Sequence, residues 1–259
     1  MANWKCTTAA AVAAAAIGSL VLVKALPWVL GFAGGKYLYQ MATDRTPTAA
    51  GISEQLQQQE FQLFRALKQE LPEDYDKLVQ KLVAVAKSRG GYEQVRDASM
   101  ATVVDLRHRY ASLLRSAPDG SASGALHAQL DMLNHVMTGE SAVTCNRYVA
   151  SGPIALTVND HEMMAAMDKA AVALFHAIAT AKNSGLPAVE AGDGDWEMLV
   201  TAFIAAGGTQ GDMEAIVSSN QDYKDLCPAF AKLLEAALSV EGEPGRHIRT
   251  TLLYELASN

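Results

Sequence analysis

ELPEDYDKLVQKLVAVAKSRGG, residues 70–91, reads as one helix with its own punctuation. Tyr75, Leu78, Val79, Leu82 and Val83 recur at the three- and four-residue spacing that puts apolar side chains on one face of an α-helix. Pro72 suits a first helical turn, where its missing N–H is not needed, and it closes whatever helix precedes it. Arg89-Gly90-Gly91 marks the stop.

The same pattern extends in both directions. Upstream, Leu56, Leu63, Phe64, Leu67 and Leu71 keep one face and predict a helix that ends at Pro72. Downstream, Val95, Val103, Leu106, Tyr110, Leu113 and Leu114 predict a third long helix over 92–116. APDGSASG, residues 117–124, then reads as a loop and as the best internal boundary of the chain. Further helices are predicted over 125–137, 160–182, 195–206, 228–240 and 244–257, with a short one after Gly211. Residues 138–159 contain TGES, CNRYVASGP and an apolar stretch without helical phase, which predicts an ordered loop with one short strand. No strand series, solenoid period or sustained heptad accompanies these helices. The predicted fold is all-α, a compact helical bundle of about seven to nine helices preceded by an N-terminal membrane-anchor helix.

The anchor is read from residues 7–23, seventeen residues without a charge, at the lower limit for spanning roughly 30 Å of hydrocarbon. Lys24 is placed to snorkel, and the run continues through LPWVLGFAGG with Pro27 as a bend and Trp28, Tyr37 and Tyr39 suited to an interface. A secretory signal is the rival reading, with Lys5 as the n-region and Val23-Lys24-Ala25 as a cleavage pattern. Cleavage there leaves an apolar mature terminus, so an uncleaved anchor over 1–40 is expected, then a linker over 41–51 and a helical domain over 52–259. Gly31 and Gly35 form a GxxxG pair, a candidate packing face for self-association through the anchor. Lysine placement does not decide its orientation.

Charge narrows the partners. The net charge is -7, and three lysines with one aspartate give residues 1–44 a charge of +2, leaving -9 for the rest. An acidic remainder without clustered Lys and Arg excludes nucleic acid and disfavours broad contact with anionic lipid. Of the three cysteines, Cys6 precedes the apolar run, while Cys145 and Cys227 form an even pair in the domain. In an oxidising compartment these two are expected to form a disulfide, with two ordinary buried thiols as the plainer reading; the bridge is favoured and supports an exported domain. By loop-closure entropy such a bridge is worth about 4 kcal/mol before strain.

The chemical candidates are each matched by a plainer reading. His127, Asp131 and His135 stand four apart in LHAQLDMLNHV and share a helical stripe with metal-ligand potential, but they flank an apolar stripe where solvated polar residues belong. His161 with Met163, Met164 and Met167 has the composition of a copper site, though methionines at this spacing are ordinary core filler. His176 in VALFHAIA is expected to be a satisfied core or boundary histidine. Asp193, Asp195 and Glu197 alternate as in a calcium loop but lack its glycine and closing glutamate, so Asp195 is expected to be an N-cap. GFAGGK lacks the spacing and the Ser or Thr of a phosphate loop. Glu140-Ser141 resembles the Glu-Ser pair of lytic transglycosylases, without the Gly-Leu-Met-Gln type stretch that follows it there.

The sequence therefore predicts no catalytic residues, metal or cofactor. The expected function is a membrane-anchored helical protein-binding or scaffold subunit of a cell-envelope complex. Its expected partners are the membrane and an unidentified protein. The alternatives are a peptidoglycan-directed helical enzyme and a membrane-tethered regulator facing the cytosol.

Overall fold

The computed structural model describes residues 48–58, 60, 62–88, 92–152, 156 and 161–258, with backbone alone at 92, 93, 95, 96 and 100. The predicted anchor, with Gly31 and Gly35, and most of the linker lie outside the described residues. So does nearly all of the stretch predicted as a strand. Helix accounts for 84% of the described residues and strand for none, which places them in the all-α class.

Eleven α-helices are described, more than the sequence predicts: α1 (Ala49–Gln58), α2 (Leu63–Glu70), α3 (Pro72–Lys87), α4 (Tyr92–Tyr110), α5 (Asp119–Gly139), α6 (Ala142–Ser151), α7 (His161–Ser184), α8 (Asp193–Ala205), α9 (Gln210–Val217), α10 (Leu226–Ser239) and α11 (Gly242–Ser258). A 3-10 helix, Ala111–Ser116, continues α4. Three departures account for the higher count and the shifted boundaries. The helix predicted up to Pro72 is split into α1 and α2, because the Asp168 carboxylate of α7 accepts the backbone N–H groups of Gln62 (2.8 Å) and Leu63 (2.9 Å) and so starts a new helix. The predicted loop over 138–159 contains α6, opened by Ser141, whose side chain accepts the Thr144 N–H, and closed at Gly152 with φ 74°. APDGSASG is no boundary either. Pro118 precedes α5, whose first turns are built from Asp119, Gly120, Ser121 and the fully buried Ala122.

The start of α1 is set locally, since Thr48 Oγ1 accepts the Gly51 N–H at 3.1 Å and the helix begins inside the predicted linker. At α8 the expectation shifts by one role. The helix starts at Asp193, and Asp195 is its third residue, with its carboxylate accepting the Gly192 N–H at 2.9 Å.

The bundle is organised about α5 and α7, which make the most extensive helix pairing. On one side α2 packs on α7 and carries α1 and α3; on the other, α10 and α11 pack on α5 and carry α8, α9 and α6. One cluster of buried apolar residues runs from Ile52 to Ala257 and joins both sides. Among the described helices, α7 has the length and composition to cross a membrane, and 56% of its apolar window is buried inside the bundle. Its exposed positions include His161, Glu162, Lys169, His176 and Lys182, residues that suit water and not hydrocarbon. Its place is that of a core helix.

The C-terminal helices are pinned by Arg249, 3% exposed. Its Nη1 donates to the carbonyls of Ala237 (2.9 Å) and Val240 (2.7 Å) at the end of α10, and its Nε and Nη2 donate to Asp119 Oδ1 at the start of α5. Gly245 makes this approach possible. A Cβ there would stand 1.9 Å from the Val240 carbonyl oxygen and 2.8 Å from the guanidinium. Gly245→Ala is expected to cost about 1–3 kcal/mol by overpacking. Gly124→Ala, on an open helical face, is expected to gain up to about 1 kcal/mol from helix propensity. Urea midpoints of the two variants check the pair, and equal midpoints would remove Gly245 from this role.

Candidate functional site

The exposed face of α7 lines an open groove of about 460 Å³ with Glu60 and Gln62 from the joint between α1 and α2. Ala165, Val172 and Ala173 give the groove its apolar lining, beside the polar side chains of Glu60, His161, Lys169 and His176. His161 Nε2 lies 2.9 Å from Glu60 Oε1, and His176 Nδ1 lies 2.9 Å from Glu70 Oε1, so each histidine bridges α7 to the α1–α2 side. Lys169 leans the other way and donates to Asp131 Oδ2 of α5 at 2.5 Å.

Asp168 lies at the base of the groove and is itself 6% exposed. Burial pushes its carboxyl above the usual carboxylate range, against the pull of the Gln62 and Leu63 amides and the Arg65 charge. Both of its oxygens are engaged by those amides, so its role is to cap α2 and hold the groove's two walls together. The groove is suited to seat an apolar group, with hydrogen-bonding residues at its rim.

The structure distributes the sequence candidates over several places. His127 and Asp131 are exposed on α5 and His135 is half-buried, and Asp131 is engaged by Lys169. No group of three or more His, Cys, Asp or Glu side chains is placed to hold a metal ion among the described residues. Met163 and Met167 are buried in the core, 4% and 3% exposed, consistent with the packing role. His176 is exposed at the groove rim, not in the core, because it occupies the outward side of α7 and finds Glu70 there. Glu140 and Ser141 form the joint between α5 and α6, Glu140 ending one helix and Ser141 capping the next.

Cys145 of α6 and Cys227 of α10 lie at disulfide distance, with a Cα–Cα separation of 5.7 Å, and both are buried. Asn146 makes a second tie beside them. Its Nδ2 donates to the Tyr223 carbonyl (2.7 Å) and the Gln221 carbonyl (3.3 Å), while its Oδ1 accepts the Cys227 N–H (3.1 Å). One amide thus satisfies the backbone of the segment that leads into α10.

Sequence reasoning passed over Asp168, although its position carried a signal. It is a carboxylate within the buried stripe of Met163, Met167, Ala170, Ala171 and Leu174, where an acid requires a partner. The Glu60 and Glu70 partners had no such signal, because they lie 101 and 106 residues from the histidines they meet. Comparison with family models, with curated proteins and with solved structures found no match.

Asp168→Asn replaces an acceptor oxygen with an NH2 group that faces a backbone donor. It is expected to cost about 1–3 kcal/mol and to raise hydrogen exchange at Leu63 more than in α5. Unchanged exchange at Leu63 would show that α2 starts without this cap.

Proposed function

We propose that this chain is a membrane-anchored helical subunit of a cell-envelope complex that binds another protein, with its helical domain on the extracytoplasmic side. The observation that carries the reading is the Cys145–Cys227 pair. Two buried sulfurs at disulfide distance, contributed by helices 82 residues apart in sequence, form a lasting link where the surroundings are oxidising. The uncharged run over 7–23 supports the tether, and confinement to a surface raises the effective concentration of the domain toward a membrane partner.

Binding is favoured over catalysis by how the polar side chains are used. Asp131, His161, His176 and Asp195 are held in hydrogen bonds, an ion pair or caps that join helices, and Ser141 opens α6. The groove along α7 offers a depression of the kind in which an interface seats its anchor side chains, and its charged rim suits a partner's polar residues.

Two measurements test the reading. Alkylation of the unreduced protein, unfolded directly from cells in denaturant, should leave Cys145 and Cys227 unlabelled, and mass spectrometry should recover them as one cross-linked peptide. Two freely alkylated thiols would move the domain to a reducing compartment. In cells lacking the chain, Glu140→Gln should restore function while a variant without residues 1–40 should not; the reverse ranking would make the protein a soluble catalyst.

A further inference from the structure

Arg107 stands near the C-terminal end of α4, 2% exposed. Its Nη2 contacts His108 Nε2 at 2.9 Å, while its buried Nε and Nη1 meet no hydrogen-bond partner among the described residues. A guanidinium has donors and no acceptors, so His108 Nε2 must accept this bond and the ring must be neutral, with its proton on Nδ1. Burial lowers the Arg107 pKa to about 10, an indication of how little compensates its charge. Burial and then the Arg107 charge hold His108 below the ordinary imidazole range, with Asp105 opposing.

Neighbouring charges are engaged elsewhere. On α3, Asp74 accepts from Arg109 and Tyr110 with Lys77 alongside, and Lys81 donates to Thr102. Arg115 of the 3-10 helix pairs with Glu190 and lies over the Tyr254 ring. On α11, Arg246 pairs with Glu243, Arg249 with Asp119, and Glu255 has a partner of its own. Asp105, on α4 itself, is the one carboxylate acting on His108 among the described residues.

We propose that the Arg107–His108 contact is an acid switch: protonation of His108 removes the acceptor from the Arg107 bond, sets two cations side by side, and loosens the end of α4 from α3, the 3-10 helix and α11. The sign follows from the neutral ring in the folded state. A folded pKa below the unfolded value of about 6.5 gives stability that is fully present above about 6.5 and is lost as pH falls from there through the folded value. His161, His176 and His247 lie beside carboxylates of their own, Glu60, Glu70 and Asp195.

The test compares the full-length protein with His108→Gln, which keeps an acceptor oxygen and does not titrate. His108 is exposed to solvent, so the effect is screened, and between pH 7.5 and 5.0 the melting midpoint of the variant should fall by less than that of wild type. In wild type, the NMR titration of His108 should fall below the ordinary imidazole range, and Arg107→Met should move it upward. Equal pH dependence in the two proteins overturns the switch. So does a His108 titration at or above the ordinary value, a readout that holds even if His108→Gln fails to fold.

Discussion

Arg249 of α11 joins the end of α10, the helix before it, to the start of α5, 130 residues away, and the geometry of the C-terminal half depends on it. Helix α10 ends with carbonyls that have no intrahelical donor, and α5 begins with an acidic residue in its first turn; one guanidinium serves both. The carbonyls of Ala237 and Val240 carry the negative end of the α10 dipole, so the cation is electrostatically matched as well as hydrogen-bonded. Its partner Asp119 remains 48% exposed, which leaves part of that carboxylate's hydration in place and lessens the desolvation cost of the pair. The turn that delivers α11 to this position requires Gly242, at φ 71°, and Gly245, where no side chain fits.

The same device recurs through the bundle. Asp168 of α7 caps α2, Asn146 of α6 satisfies the segment entering α10, and Thr251 Oγ1 of α11 accepts the Ala191 N–H ahead of α8. In each case a backbone group left over at a helix end or in a connection is satisfied by a side chain from a distant helix. This is how a chain of many short helices avoids orphaned polar groups in a continuous core. Among the described residues, Arg107 departs furthest from this, with two buried donors unpaired. A group in that position makes the local packing sensitive to the charge beside it.

These ties also fix the frame of the α7 groove. The α7 groove is framed by α7 and the joint between α1 and α2, which Asp168 ties to α7 through the Gln62 and Leu63 amides. The cysteine pair and Asn146 act on the opposite side of the bundle, where α6 meets α10.

The sequence by itself determined the helical class and most of the helices, because period and punctuation are local properties. Tyr75, Leu78, Val79, Leu82 and Val83 form a buried face as spaced, with Pro72 opening α3. It also singled out Cys145 and Cys227, since an even pair in one domain needs no geometry to be noticed. Tertiary structure decided where helices break and which polar residues meet. The gap between α1 and α2 depends on an aspartate more than a hundred residues away, and α5 absorbs Gly120 and Gly124 because packing of Ala122 and the Arg249–Asp119 contact outweigh their weak helix propensity. The groove, with His161 and His176 set against Glu60 and Glu70, follows from how α7 lies across α2. That is a consequence of ridges packing into grooves, and no local period records it.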